Sequence, residues 1–224
     1  MRQEMSFAID RRTALGLGIA VSLTGLAGVA RAQAAEGPEA LIQRVAAELI
    51  DTIKADAALR NGDIAKVSAL VDAKVMPHVN FTRMTASAVG RFWRQATPEQ
   101  KQRLQAEFKA LLVRTYSGAL SQVKDQALTV KPMRAAAGDT EVVVRSELRA
   151  PGKEPVQLDY RVEKTDAGWK IYDLNVLGVW LVETYRGQFA EEINANGLDG
   201  LIASLVQRNR SNAAEKPSRT GAKG

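Results

Sequence analysis

A chain of 224 residues with one histidine, His78, and no cysteine has few routes to chemistry. The missing cysteines exclude a disulfide framework, a thiolate nucleophile, a zinc ribbon and an iron–sulfur cluster, and a lone imidazole cannot build a poly-histidine metal site. His78 lies in Met76-Pro77-His78-Val79-Asn80-Phe81 and has the titration range of a general base. The commoner role in such a setting is a partly buried histidine hydrogen-bonded in a turn. The carboxylates Asp159, Glu163 and Asp173 fall on strand-like segments, where they most simply form a solvated face. The chain has no G-x-S-x-G elbow, no G-x-x-x-x-G-K-[ST] phosphate loop, no G-x-G-x-x-G opening a helix after a strand and no H-E-x-x-H. No catalytic constellation can be assembled, so the expectation is a protein that is not an enzyme and takes no cofactor or metal.

The elements that must position any site are legible from hydrophobic periodicity. From Pro38 the apolar residues Leu41, Ile42, Val45, Leu49, Ile50 and Ile53 recur at helical spacing. Asn61-Gly62-Asp63 breaks that helix, and Asp63 caps a second one carrying Ile64, Val67, Leu70, Val71 and Val75, which ends before Pro77. A shorter helical piece surrounds Phe81, Met84 and Val89. Thr97-Pro98-Glu99-Gln100 is a capping box with proline at the first helical position. Behind it Leu104, Phe108, Leu111, Leu112, Thr115, Tyr116, Ala119 and Val123 form the stripe of a long core helix.

After Asp125 the period changes from about 3.6 to about 2. Strands are predicted over 126–134, 140–149, 155–164 and 169–176, joined by turns at Ala137-Gly138-Asp139, Pro151-Gly152-Lys153 and Asp166-Ala167-Gly168. Apolar and polar residues alternate along them, so one face of the sheet is greasy and the other wet. A helix from about Val179 carries Leu181, Tyr185, Phe189 and Ile193 to a stop at Asn196-Gly197, and a last helix bears Leu198, Leu201, Ile202, Leu205 and Val206. The fold class is α+β: a four-stranded antiparallel twisted meander covered on one face by N-terminal and C-terminal helices.

The net charge of +6 comes from the ends of the chain. Residues 1–32 carry +2 and residues 207–224 carry +4, leaving 22 basic and 22 acidic residues between them. A neutral body lacks the clustered basic surface that dominates nucleic-acid affinity, so no nucleic-acid partner is expected. Arg11-Arg12, a Gly/Ala-rich apolar run from Leu15 to Ala30 and the A-x-A pattern Ala30-Arg31-Ala32 identify residues 1–32 as a signal peptide, with the mature start near Gln33. The paired arginines also fit a twin-arginine leader, although Asp10 and Ala14 depart from its fuller pattern, so both export routes stay open. Residues 207–224, rich in Lys, Arg, Ser, Asn, Ala and Gly, are expected to be a disordered basic tail.

Two stretches are more specific. One runs from Pro77-His78-Val79-Asn80-Phe81-Thr82-Arg83-Met84 through Val89-Gly90-Arg91-Phe92-Trp93-Arg94 to Leu111-Leu112-Val113-Arg114-Thr115-Tyr116. The other comprises Trp169-Lys170-Ile171-Tyr172-Asp173-Leu174, Gly178-Val179, Tyr185-Arg186, Gln188-Phe189 and Gly197-Leu198-Asp199-Gly200-Leu201-Ile202. Together they resemble the MlaC-type periplasmic phospholipid-binding proteins, also called the toluene-tolerance family, over about residues 38–206. The resemblance implies that 33–206 is a lipid-binding α+β domain holding a phospholipid, tails inward, between sheet and helices. It further implies a monomeric periplasmic carrier that exchanges lipid between an outer-membrane lipoprotein complex and an inner-membrane MCE-domain ABC transporter, maintaining outer-membrane lipid asymmetry. Tyr116 matches the family's pocket-mouth tyrosine and Gly178-Val179 its Gly-Val pair. Leu177 and Trp180 stand where better-known members carry Glu and Ser, and Gln157 where some carry Arg, so the resemblance brings no charged phosphate clamp to Gln157.

Within the apolar rows, the residues expected to line the lipid site are Leu112, Tyr116, Val144, Leu158, Tyr160, Ile171 and Val179. Two acyl chains bring about 30 methylenes at ~0.8 kcal/mol each, so their burial is a large gross term that must be offset by leaving the bilayer. An unfilled apolar gap of ~800 Å³ would cost on the order of 19 kcal/mol, so the protein should be either occupied or partly collapsed. The competing expectations are a cell-envelope scaffold or interaction protein with a solid core, and a carrier of another amphiphile such as a hopanoid or a quinone. Arg91, Arg94 and Lys101 cluster before the long helix as candidates for partner docking.

Overall fold

The computed structural model describes residues 36–120, 123, 125–133, 136 and 138–214. The expected signal peptide, and residues 215–224 of the expected tail, lie outside these residues. The described part is α+β, with helices α1 (Pro38–Ala55), α2 (Ala57–Arg60), α3 (Ile64–Leu70), α4 (Phe81–Val89) and α5 (Pro98–Leu120) preceding strands β1 (Ala127–Val130), β2 (Glu141–Arg149), β3 (Val156–Thr165), β4 (Gly168–Val176) and β5 (Val179–Trp180), and helix α6 (Leu181–Ala214) closing the chain.

Side-chain caps set most helix starts. Asp56 accepts from Ala58 N at 2.7 Å and opens α2, an extra break ahead of the expected one. Asp63 accepts from Ala65 N and Lys66 N at 2.9 and 3.1 Å to open α3. The capping box of α5 is complete: Gln100 N donates to Thr97 Oγ1 at 3.2 Å and Thr97 N to Gln100 Oε1 at 3.0 Å. The second predicted helix does not continue as one α-helix to Pro77. After Leu70 the chain widens into a π-helical turn, Val71–Val75, and tightens into a 3₁₀ turn, Met76–His78, because Pro77 cannot supply an N–H to an α-helical ladder.

The described strands form one antiparallel sheet in the order β1-β2-β3-β4-β5, five strands and not the expected four. Leu177 and Gly178 both adopt left-handed backbone angles, with φ of 53° and 89°. That makes a two-residue hairpin loop, which turns the chain back so that Val179 pairs with Val176 and Trp180 with Asn175. Two residues are too few to show strand alternation, so Gly178 reads as a terminator and Val179 as the start of a helix. Between β3 and β4 the register shifts, Arg161 facing Asp173 while Val162 faces Ile171. The extra residue, Tyr172, is a bulge, and it leaves both Ile171 and Leu174 on the helix-covered face.

The expected solvated carboxylate face does not form at Asp173 either, because the start of α6 covers it. Asp173 is 1% exposed. Its Oδ1 accepts from Leu174 N at 2.9 Å and Val182 N at 3.1 Å, and Oδ2 pairs with Arg161 at 3.0 Å, so it fixes the passage from β4 into α6. Burial raises its pKa, against the backbone donors and Arg161. Glu163 is engaged as well, accepting from Asn80 Nδ2 at 2.7 Å and pairing with Arg83. Helix α6 is broken at Gly197, whose φ of 70° is non-helical, and extends to Ala214. The boundary expected at 206 therefore moves outward, because Asn209 is buried and donates to Glu107 O at 3.0 Å and Glu107 Oε2 at 2.7 Å.

Among the described residues the apolar interior forms three clusters. Phe81, Phe108, Tyr185 and Phe189 centre the one joining α4, α5 and α6, with Phe108 edge-on to Tyr185 at 4.9 Å and to Phe189 at 5.2 Å. Ile53, Leu59, Val67, Leu70 and Val113 tie α1–α3 to α5. Ile42, Leu128, Val144, Val162 and Ile171 seat α1 on the sheet.

Asp173→Ala is expected to cost about 2–3 kcal/mol by orphaning two backbone donors and removing the buried partner of the half-buried Arg161 guanidinium. Asp173→Asn, which keeps an acceptor for both N–H groups, should lose less, as read from urea midpoints followed by tryptophan fluorescence.

Candidate functional site

Where the three clusters would converge there is a cavity instead. It occupies about 350 Å³, and its walls come from all three clusters: Ile42, Val45, Leu49, Ile50 and Ile53 of α1, Val71, Val75 and Met76 of the irregular turn after α3, Leu112, Val113 and Tyr116 of α5, and Leu128, Leu148, Leu158, Tyr160, Ile171 and Leu174 of the sheet. The wall is apolar apart from the hydroxyls of Tyr116 and Tyr160 and the ammonium of Lys109. At ~24 cal/mol per Å³ an unfilled space of 350 Å³ costs on the order of 8 kcal/mol, comparable with the whole stability of a typical domain, ~5–15 kcal/mol. Such a site is made for an apolar guest.

Local sequence explains the walls. The α1 face is unusually broad, with Leu41-Ile42, Val45-Ala46 and Leu49-Ile50 as apolar pairs one turn apart, so both rows reach the cavity and of these six only Leu41 lies off its wall. Lys109, Leu112, Val113 and Tyr116 follow i, i+3, i+4, i+7 on α5. The bulge at Tyr172 turns Leu174 inward beside Tyr160, its partner across β3–β4.

Both phenols are dry enough to stay protonated. Burial pushes Tyr160 up to about 12, with the Ser146 hydroxyl as its hydrogen-bonding neighbour, and burial raises Tyr116. They are neutral hydroxyls on an otherwise greasy wall. At the edge of the cavity Lys109 Nζ meets Asp72 Oδ1 at 2.6 Å, and Lys74 pairs with Glu48 at 3.3 Å.

Five of the seven residues expected to line the site do border this cavity: Leu112, Tyr116, Leu158, Tyr160 and Ile171. Val144 does not. It is 0% exposed and packs with Ile42, Leu128, Val162 and Ile171, where its short branched side chain is covered by its own cluster. Val179 does not either, being 55% exposed beside Leu177 at 66%. The hairpin loop places it on β5 outside the wall, and Leu181, the first residue of α6, takes the inward position. The α1 row, the Val71–Met76 segment and Lys109 were not anticipated. Their stripes are visible in the sequence, but periodicity reports a face and not whether that face is filled. His78 is half-buried in the 3₁₀ turn, its pKa lowered first by burial and then by Arg44 and Lys170. Of the three candidate docking cations, Arg91 lies 4.8 Å from the Phe92 ring and Lys101 5.6 Å from that of Trp93.

A family model described as MlaC protein matches residues 43–207. The toluene tolerance protein ttg2D of Pseudomonas putida is 30% identical over 168 residues, 74% of this chain and 77% of that one. The intermembrane phospholipid transport system binding protein MlaC of Haemophilus influenzae is 23% identical over 188 residues, 83% of this chain and 88% of that one. Among solved structures, the phospholipid-binding protein from Ralstonia solanacearum, in complex with a phospholipid, superposes with a TM-score of 0.76 at 51% identity, over 78% of this chain and 98% of that one.

Cavity wall and solid core are distinguished by enlarging one residue of each. Val144→Trp should cost at least about 3 kcal/mol through overpacking, whereas Leu158→Trp, with space to receive the ring, should stay within about 1 kcal/mol of the parent in urea unfolding. Leu158→Trp should also abolish most of the binding of an apolar fluorescent dye.

Proposed function

The chain belongs to the MlaC family, and we propose that it is a phospholipid carrier of the periplasm. The observation that carries this reading is the cavity at the junction of three packed clusters, walled by apolar side chains from α1, α5 and the sheet. The acyl chains occupy that space and the headgroup stays at its edge, where Lys109 and the half-buried residues of the Val71–Met76 segment meet solvent. Supporting the reading, the Ralstonia relative was solved with a phospholipid and the Haemophilus relative is a phospholipid transport binding protein.

Two acyl chains need more room than 350 Å³ if they fill the ~800 Å³ of a mid-sized ligand pocket. The walls then part on loading, and the π-helical turn at Val71–Val75, a local departure from α-helical winding, is the wall segment least bound by a regular ladder. Release is slow in water, since each methylene returned to solvent costs ~0.8 kcal/mol. Transfer therefore calls for partners that open the site, and we assign that role to an outer-membrane lipoprotein complex and an inner-membrane MCE-domain ABC transporter. In this scheme the exchange maintains outer-membrane lipid asymmetry. Among the described residues no helix is long and apolar enough to cross a membrane.

Organic extraction of freshly purified protein followed by mass spectrometry is expected to yield phospholipid at near one molecule per chain, and Leu158→Trp should reduce it several-fold. A hopanoid or quinone in its place would reassign the cargo, and reproducible absence of any amphiphile would overturn the carrier reading.

A further inference from the structure

Among the described residues, Lys109 is the one charged side chain on the cavity wall. It shares the inward stripe of α5 with Leu112, Val113 and Tyr116, so its methylene stem lies along the apolar wall while the ammonium reaches the edge. There it meets Asp72 Oδ1 at 2.6 Å. Asp72 is exposed on the irregular turn whose Val71 and Val75 line the cavity, and Lys109 is its one ion-pair partner among the described residues. The nearby charges are already matched to one another: Lys74 pairs with Glu48 at 3.3 Å, and Glu48 with Arg44 at 3.1 Å. The boundary between grease and water thus presents one cation and one anion side by side.

The geometry points to the Asp72–Lys109 pair as a headgroup subsite that selects zwitterionic phospholipids, those with an ammonium beside the phosphodiester. This inference rests on the phospholipid reading above and adds the class of headgroup. With the tails inside, the phosphodiester is placed at the edge, where Lys109 is the nearest lining cation. An ammonium two carbons away then finds Asp72. The internal pair is exchanged for two pairs with the guest, and no charge is left unmatched. An anionic headgroup satisfies Lys109 but sets its second polar group against a carboxylate that has lost its partner.

The test loads the full chain from vesicles containing equal amounts of phosphatidylethanolamine and phosphatidylglycerol with identical acyl chains. The protein is re-isolated and its bound lipid quantified by mass spectrometry. The parent should favour phosphatidylethanolamine by roughly fivefold, the scale of one partly exposed charge pair, and Asp72→Lys should reverse the preference by a similar factor. Lys109→Met, which keeps the stem, should lower uptake of both lipids. Melting curves confirm that each variant is folded, and Asp72→Asn, expected to erase the preference, serves if the reversal variant is not. Normal uptake with the same lipid ratio in the parent and the Asp72 variants would reduce the pair to a tie between the turn and α5, overturning this inference alone. Uptake of neither lipid by the parent would overturn the phospholipid reading and this one with it.

Discussion

The structure depends on three hydrophobic clusters that pack without merging. A domain of this size usually closes around one contiguous core, but here each helical layer is anchored by polar contacts at the flanks of the sheet. On one side Glu39 accepts from Met133 N at 2.7 Å and Gln43 donates to Leu128 O at 3.3 Å, holding α1 along β1. On the other, Asn80 N donates to Ile171 O at 2.8 Å, Arg83 spans Glu141 and Glu163 while stacking on Tyr172 at 3.7 Å, and Asp173 holds the start of α6. Hydrogen bonds are directional and tolerate little displacement, so these anchors resist the collapse that dispersion alone would favour. Between these anchors Leu148, Leu158 and Tyr160 of the sheet face the cavity.

Stability and hollowness are therefore assigned to different residues. The aromatic cluster around Phe108, which is 0% exposed, and the Ile53–Val67–Val113 cluster are solid and supply cohesion. The cavity wall borrows one side of each cluster. Its polarity is graded: alkyl side chains over most of the surface, two protonated phenols within it, and matched ion pairs where it reaches water. An amphiphile has the same gradation along its length.

Much of the fold was legible from the sequence. The Thr97–Gln100 box, the Asp63 cap and the alternation along β2 and β3 report local rules, and those rules operate in the folded chain. The misreadings fall where the backbone leaves regular geometry. The left-handed pair Leu177-Gly178 creates β5, the bulge at Tyr172 changes the parity of β4, and the π-helical turn interrupts the α-helical winding ahead of Pro77. Asp173 was misjudged for the same reason, since alternation cannot show that α6 will fold back over that residue. At the site, Leu158 and Tyr160 were found because they share the apolar face. Val144 was included for the same property, though Val144 and Tyr160 are direct cross-strand partners. Period two specifies the face and is silent about what stands opposite, which is why packing and lining separate only in three dimensions.

Leu177 combines two traits that a free-standing molecule has reason to discard. Its φ of 53° suits glycine or asparagine better than leucine, and its side chain is 66% open to water. Neither trait improves packing, so the solitary chain is less stable with leucine there than it would be with a small polar residue. Natural sequences stop short of maximal stability where another demand competes. At this tip the isolated chain leaves apolar surface in water, and any contact that covered the leucine would recover part of what folding alone forgoes.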